Sequence, residues 1–131
     1  MCSSDLVAII GNTFWGCDYH GIWAKDAVSW TITGNNFYKC NANDAYVYGY
    51  DDIRLESNLI PVTNCTVTGN THIIDESRTN PGYAIRFVNS GGGYPVQCSV
   101  VGETVNGSYQ GTGYSLIGNI QFTGKIGRAH V

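Results

Sequence analysis

Six acidic side chains in this 131-residue chain are candidates for a pair of carboxylates that would act together on one bond. Hydrolysis of a glycosidic bond needs such a pair, about 5–5.5 Å apart for retention or about 6.5–9.5 Å apart for inversion. In an extended segment, Asp52, Arg54 and Glu56 share one face with alternating charge, which is more typical of a solvated, salt-bridged edge. The sequence therefore assigns no catalytic residue. The acidic candidates are Asp26, Asp51, Asp52, Glu56, Asp75 and Glu76.

A second set of residues could bind a ligand rather than transform one. Its members are Trp23, Tyr46, Tyr48, Tyr50 and Arg86. Amphipathic aromatic rings suit flat, hydroxylated ligands such as sugars, and Arg86 could bind the carboxylate of an acidic sugar. The alternative is a cross-strand aromatic ladder that only stabilises a sheet. Both interpretations require these residues to share one outward sheet face.

The elements that would position these residues are predicted by a recurring phrase, apolar-x-Gly-Asn-x-apolar. It occupies residues 9–14, 32–37 and 67–72, with a degenerate copy at 100–105. The four glycines are 23, 35 and 33 residues apart along the chain. Self-similarity at such periods indicates stacked repeats. An antiparallel sandwich would instead favour Asn-Gly or Asp-Gly hairpin turns, whereas the order here is Gly-Asn.

We interpret each repeat as one coil of an all-β, right-handed parallel β-helix with about four coils. The glycine supplies the positive φ of a corner, and Phe14 and Phe37, three residues later, fill the interior. The amides that follow each glycine are expected to form a stacked ladder, which Glu103 would break. His72 takes the place of the interior Phe and is expected to be a satisfied core histidine. The laddered amides are those of Asn12, Asn35 and Asn70.

A third strand is expected after a loop of variable length. Its predicted inward residues are Ile22, Val47, Ile85 and Leu116. The neighbouring positions would then point outward in columns that run across the coils. The central column is predicted to contain Trp23, Tyr48, Arg86 and Ile117. Tyr46 and Tyr50 would lie in the two columns beside it, which produces the aromatic face described above.

Composition excludes several classes of function. The net charge of −3 argues against a nucleic-acid-binding surface, which needs a clustered basic face. No run approaches the roughly 18 apolar residues of a membrane span. The four internal cysteines occupy two shared repeat positions without C-x-x-C spacing, so stacked buried thiols are expected rather than a metal site. We expect no cofactor. These cysteines are Cys17, Cys40, Cys65 and Cys98.

The two ends of the chain are related at the level of DNA. Residues 1–6 can be back-translated into a string whose reverse complement encodes Ile126 to His130 in frame. That string resembles a short-read sequencing adapter. We therefore interpret residues 1–6 and 125–131 as translated adapter and set them aside, as one would an expression tag. Residues 7–124 are then expected to be a β-helix fragment truncated at both ends.

The stretch from Gly21 to Phe37 resembles a coil of the pectin-lyase-like β-helix superfamily. Within it, the chain is most similar to phage tail spikes and right-handed β-helix repeat proteins. The resemblance implies a polysaccharide partner, an extracellular or virion-surface location and, for a tail-spike-like parent, a homotrimer. Of the polygalacturonase motifs only Asp51-Asp52 matches, and the Trp-Ile-Asp-His motif of pectate lyases is absent. The leading hypothesis is a fragment of a polysaccharide-recognising or polysaccharide-degrading β-helix protein, either tail-spike-like or secreted and carbohydrate-active. The alternative is a non-catalytic structural or adhesive β-helix shaft.

Overall fold

A computed structural model describes residues 6–40, 49–74, 76–77 and 79–123 of the chain. Within them the chain winds through four three-strand coils and one further strand, and every strand pair is parallel. Each coil contributes one strand to each of three sheets. Apolar side chains of all three sheets meet in one interior column. The predicted parallel β-helix is confirmed.

The strands of each sheet follow one another at coil intervals along the chain. The first sheet contains β1 (Val7–Ile10), β4 (Trp30–Thr33), β7 (Thr66–Thr68), β10 (Cys98–Val101) and β13 (Ile120–Thr123). The second sheet contains β2 (Thr13–Trp15), β5 (Asn36–Tyr38), β8 (Thr71–Ile73) and β11 (Thr104–Asn106). The third sheet contains β3 (Ile22–Lys25), β6 (Ile53–Ser57), β9 (Ile85–Asn89) and β12 (Tyr114–Ser115).

The corner between the first two sheets is built by the Gly-Asn phrase. Gly34 and Gly69 have φ angles of 65° and 63°, in the left-handed region where a side chain is strained. The side chain of the next residue points inward: Asn35 Nδ2 donates to Asn70 Oδ1 at 3.0 Å. The expectation that Glu103 breaks this ladder is wrong. Asn70 Nδ2 donates to both carboxylate oxygens of Glu103, so the acid continues the ladder as an acceptor.

The interior of the second sheet is a stack of flat rings. Phe14 and Phe37 lie parallel with centroids 4.9 Å apart, and His72 follows at 5.1 Å from Phe37. The thiols also stack as predicted, with Cys40 Sγ 3.2 Å from Cys17 Sγ and no disulfide among the described cysteines. Equivalent positions of successive coils thus repeat the same side-chain geometry.

The predicted register of the third sheet is wrong in two coils. Ile22 pairs with Ile53, not with Val47, and Ile85 pairs with Tyr114, not with Leu116. The segment that contains Val47 lies outside the described residues. Residues 53–56 alternate apolar with charged side chains, and residues 45–48 alternate aliphatic with aromatic ones, so both fit a strand. The length of the preceding loop is not fixed by the coil repeat because longer loops add little entropy cost. Alternation alone could not select the strand.

We expect Asn70→Ala to lower the free energy of unfolding by about 3 kcal/mol or more. Several buried polar groups would each lose their hydrogen-bond partner, and each such loss costs about 1–3 kcal/mol. Asn12→Ala is the matched control. Asn12 is at the exposed end of the same ladder, so water can replace its bonds and the loss should stay below about 1 kcal/mol. Urea unfolding of both variants measures the difference, and equal losses would contradict a cooperative buried ladder.

Candidate functional site

The outer face of the third sheet carries a column of one aromatic and two cationic side chains. The register pairs Trp23 with Arg54 and Arg54 with Arg86 across successive coils. The structure therefore places Trp23 and Arg86 in one column, as the sequence predicts. Arg54 occupies the position expected for Tyr48, and both Tyr46 and Tyr48 lie outside the described residues. The Trp23 side chain is 54% exposed.

A cluster of rings borders the Trp23 end of this column. The His20 ring is 5.2 Å from that of Trp23 and 5.1 Å from that of Tyr50, in edge-to-face geometry. Tyr50 also contacts Tyr19 edge-to-face at 5.0 Å. Tyr50 precedes β6, so it lies next to the end of the column and not in a neighbouring column of the same sheet, where the sequence placed it. The cluster extends the aromatic surface beyond the sheet.

Hydrogen bonds and charge hold the Trp23 indole in place. Trp23 Nε1 donates to Glu56 Oε1 at 3.1 Å, and Arg54 Nε donates to the same oxygen at 3.1 Å. Arg54 Nη1 reaches Asp51 Oδ2 at 3.4 Å. The Lys25 ammonium lies 4.9 Å from the Trp23 ring centroid. A ring held on both its edge and its face is preorganised for stacking, because little side-chain entropy remains to be lost.

Arg86 is bound less completely than Arg54. Its guanidinium lies 5.6 Å from the Tyr83 ring centroid, and it forms no ion pair within 4 Å among the described residues. A partly exposed guanidinium of this kind can bind an external carboxylate in a bidentate manner. Arg86 is therefore a cation of this face that an anionic ligand could bind.

The pKa values of the two carboxylates that bind Arg54 are shifted in opposite directions. Burial raises the pKa of Asp51 to about 6, although the Tyr83 amide and the arginines oppose it. Burial alone would also raise the pKa of Glu56, but hydrogen bonds from Ser90, Trp23 and Arg54 lower it overall. The Asp51 side chain is fully enclosed. It can orient Arg54 and the Tyr83 backbone, but it cannot contact a sugar on the face.

The remaining acidic candidates that the structure describes have structural partners. The interpretation that Asp52 shares a solvated face with Arg54 and Glu56 is wrong, because Asp52 is fully buried and turns to the interior. Asp26 Oδ1 accepts hydrogen bonds from three successive amides, those of residues 58–60. Glu76 lies beside Gly107, and Asp75 is outside the described residues. None of these groups forms a carboxylate pair facing the Trp23 surface within the described part of the chain.

A charged cluster that the sequence did not predict lies inside the coil. His72 Nδ1 is 2.9 Å from Asp52 Oδ2, and His72 Nε2 is 2.7 Å from Glu103 Oε1. The Tyr109 hydroxyl donates to Asp52 Oδ2 at 2.7 Å. The expectation of a satisfied core histidine is confirmed. One observation could have revealed its partner: His72 replaces an interior Phe and Glu103 replaces a corner Asn in adjacent repeats.

These groups change how His72 and His20 titrate. Burial alone would lower the pKa of His72, but hydrogen bonds and charges from Asp52 and Glu103 outweigh it and raise the pKa to about 9. Burial, with the nearby Arg54, lowers the pKa of His20 to about 4. His20 Nδ1 accepts a hydrogen bond from the Asp51 amide at 2.8 Å, which a neutral ring can do. His72 is thus an interior cation, whereas His20 is a neutral ring that is itself almost completely enclosed.

Neither a metal site nor a membrane-spanning helix is found in the described part of the chain. It contains no group of three or more His, Cys, Asp or Glu side chains that could hold a metal ion. It also contains no helix that is long and apolar enough to cross a membrane.

Three parallel sheets around one interior define a protein of the parallel β-helix class. The family model described as right-handed beta helix region matches residues 2–124, and the chain belongs to that family. No curated protein and no solved structure matches the chain. The family fixes the architecture, so the ligand has to be argued from the outward side chains.

The interior cluster predicts a loss of stability at alkaline pH. The pKa of His72 is higher in the folded chain, about 9, than its ordinary 6.5. Its contribution is therefore complete below pH 6.5 and is lost as the pH rises through 9. The free energy of unfolding should fall by about 3 kcal/mol across this window.

Urea unfolding at intervals between about pH 6 and about pH 10 measures this fall. The Asp52→Asn/Glu103→Gln double variant is the control, because it keeps His72 and every thiol and tyrosine but removes both anionic partners. Its pH dependence should be weaker over the same window. Identical slopes in the two proteins would show that His72 is not the titrating group.

Proposed function

We propose that this chain binds an acidic polysaccharide along the outer face of its third sheet, in an extracellular or virion-surface protein. The observation that carries the proposal is the juxtaposition of an exposed, fixed indole with a guanidinium that has no ion-pair partner among the described residues. Trp23 provides the ring, and Arg86 provides the cation. The two stand in one column, two coils apart.

The spacing of the column suits a chain of linked sugars. Adjacent coils are separated by about 4.8 Å, so the backbones of Trp23 and Arg86 are about 10 Å apart along the coil axis. A sugar ring stacked on Trp23 would place the carboxylate of a neighbouring uronic acid within reach of Arg86. Arg54, between them, is held by Glu56 and Asp51 and keeps the intervening surface polar. A rigid, elongated site favours a polymer over a small ligand.

The alternative function is a non-catalytic structural or adhesive shaft. One observation favours it: the hydrogen bonds from Trp23 and Arg54 to Glu56 are internal, as in a ladder that only stabilises the sheet. In a shaft, removal of the Trp23 ring would alter stability but would leave no binding to lose. A binding measurement therefore separates the two functions.

The test is calorimetric titration of the full chain with a uronic acid polymer such as polygalacturonate or alginate, and with neutral dextran for comparison. We expect the acidic polymers to bind. Arg86→Gln should weaken binding about tenfold or more, since a hydrogen bond to a charged group contributes about 1.5–3 kcal/mol. Trp23→Ala should weaken binding to a similar degree, because the sugar ring loses the apolar surface on which it stacks. Arg86→Gln should also reduce the dependence of binding on salt.

Tyr94→Ala is the matched control, because Tyr94 is a 65% exposed aromatic residue in the loop between β9 and β10. It should bind like the unaltered chain. Absence of binding to every acidic polymer, or equal losses in all three variants, would favour the shaft.

A further inference from the structure

The outer face of the second sheet carries a second aromatic surface. Trp15 is 71% exposed, and its ring lies 4.6 Å from that of Tyr38 in the next coil, at an interplanar angle of 42°. Ile73 continues this column in the third coil. A depression of about 240 Å³ lies along the column. None of these residues belongs to the Trp23 face.

A polar column runs beside the aromatic one. The register aligns Thr13 with Asn36, and Asn36 with Thr71, two positions before the aromatic residues on the same strands. All three line the depression. Their side chains form no hydrogen bond with any described residue. On the first sheet, by contrast, the hydroxyls of Thr33 and Thr68 bond to each other at 2.9 Å.

The second-sheet face is almost free of charge. No residue that lines the depression is ionised at neutral pH. Lys39, which follows β5, places its ammonium 5.4 Å from the Tyr38 ring centroid. The Trp23 face, in contrast, carries Lys25, Arg54 and Glu56. An acidic ligand would therefore gain little on the second sheet, and a neutral ligand would avoid the cost of desolvating a charge.

We propose that the outer face of the second sheet is a separate binding site for a neutral oligosaccharide that lies along the coil axis. A sugar ring has an apolar C–H face, which would stack on Trp15 and Tyr38, and equatorial hydroxyls at its edge. Those hydroxyls would bond to the side chains of Thr13, Asn36 and Thr71, which combine donors and acceptors. Aromatic rings beside a few placed polar groups are the usual lining of a ligand site.

The size of the face favours a glycan over a second protein. Its strands have three residues each in four coils. At about 3.3 Å per residue and about 4.8 Å per coil, it measures about 10 Å by about 19 Å, or about 190 Å². A stable protein interface buries about 800 Å² on each partner. The face alone would supply only about a quarter of such an interface, whereas its width is close to that of one sugar chain.

The experiment titrates the full chain with neutral cello-, xylo- and manno-oligosaccharides and monitors heat and tryptophan fluorescence. We expect one of these series to bind, and Trp15→Ala to weaken that binding at least tenfold. Thr13→Val/Thr71→Val keeps the shape but removes two hydroxyls, and it should weaken binding several-fold. Because all three residues are on the surface of the sheet, the circular dichroism spectrum should be unchanged.

Trp23→Ala is the matched control, since it removes an exposed indole from the other face. It should leave neutral-sugar binding intact, while Trp15→Ala leaves any acidic-polymer binding intact, so each proposal can fail alone. No binding of any series at millimolar sugar, or equal losses in both tryptophan variants, would overturn this site. Self-association in sedimentation that Trp15→Ala abolishes would identify a second copy as the occupant and would also overturn it.

Discussion

The fold depends on the hydrogen bonds by which each coil pairs the buried backbone N–H groups of its neighbour. At the corner between the first two sheets, the backbone N–H of Asn35 donates to Asn70 Oδ1 at 2.9 Å. The backbone N–H of Asn70 donates to Glu103 Oε2 at 2.9 Å. A buried amide without a partner would cost about 1–3 kcal/mol. A shift of one residue between coils would break every such bond and turn the inward side chains outward. The corner therefore fixes the register of all three sheets.

The same ladder explains why a charged cluster lies in an apolar interior. A carboxylate only accepts hydrogen bonds, so Glu103 can receive the Asn70 amide groups but brings a negative charge with it. An unpaired buried charge would be strongly unfavourable. His72, one coil earlier, supplies the opposite charge: it bonds to Glu103 through one ring nitrogen and to Asp52 through the other. Asp52 in turn accepts a hydrogen bond from the Tyr109 hydroxyl. The exchange of Asn for Glu at the corner and of Phe for His in the ring stack is one coupled change.

The sequence predicted correctly the corner and interior positions that every coil repeats. It did not predict the positions that follow loops of variable length. The Gly-Asn phrase located the corners, the ladder and the Phe14–Phe37 stack, because these positions face the same interior in every coil. The third strand was placed wrongly at Val47 because the preceding loop has no fixed length. As a result, Trp23 and Arg86 were placed in one column correctly, but Arg54 between them was not recognised. The Asp52–His72 pair joins loop and strand positions that no repeat relates.

The division between repeated interior and variable exterior also determines where ligand chemistry can arise. Inward positions pack against their equivalents in the neighbouring coils, so a change at one of them requires a matching change at another. Outward positions share only the coil spacing, so the three sheets carry different side chains on their outer faces. The first sheet pairs threonine hydroxyls, and the second presents neutral rings beside polar side chains. The third presents an indole ring among charged side chains. Because every outward column runs parallel to the coil axis, any ligand that uses several coils must be extended in that direction. A linear glycan meets this geometric requirement without the chain changing its fold.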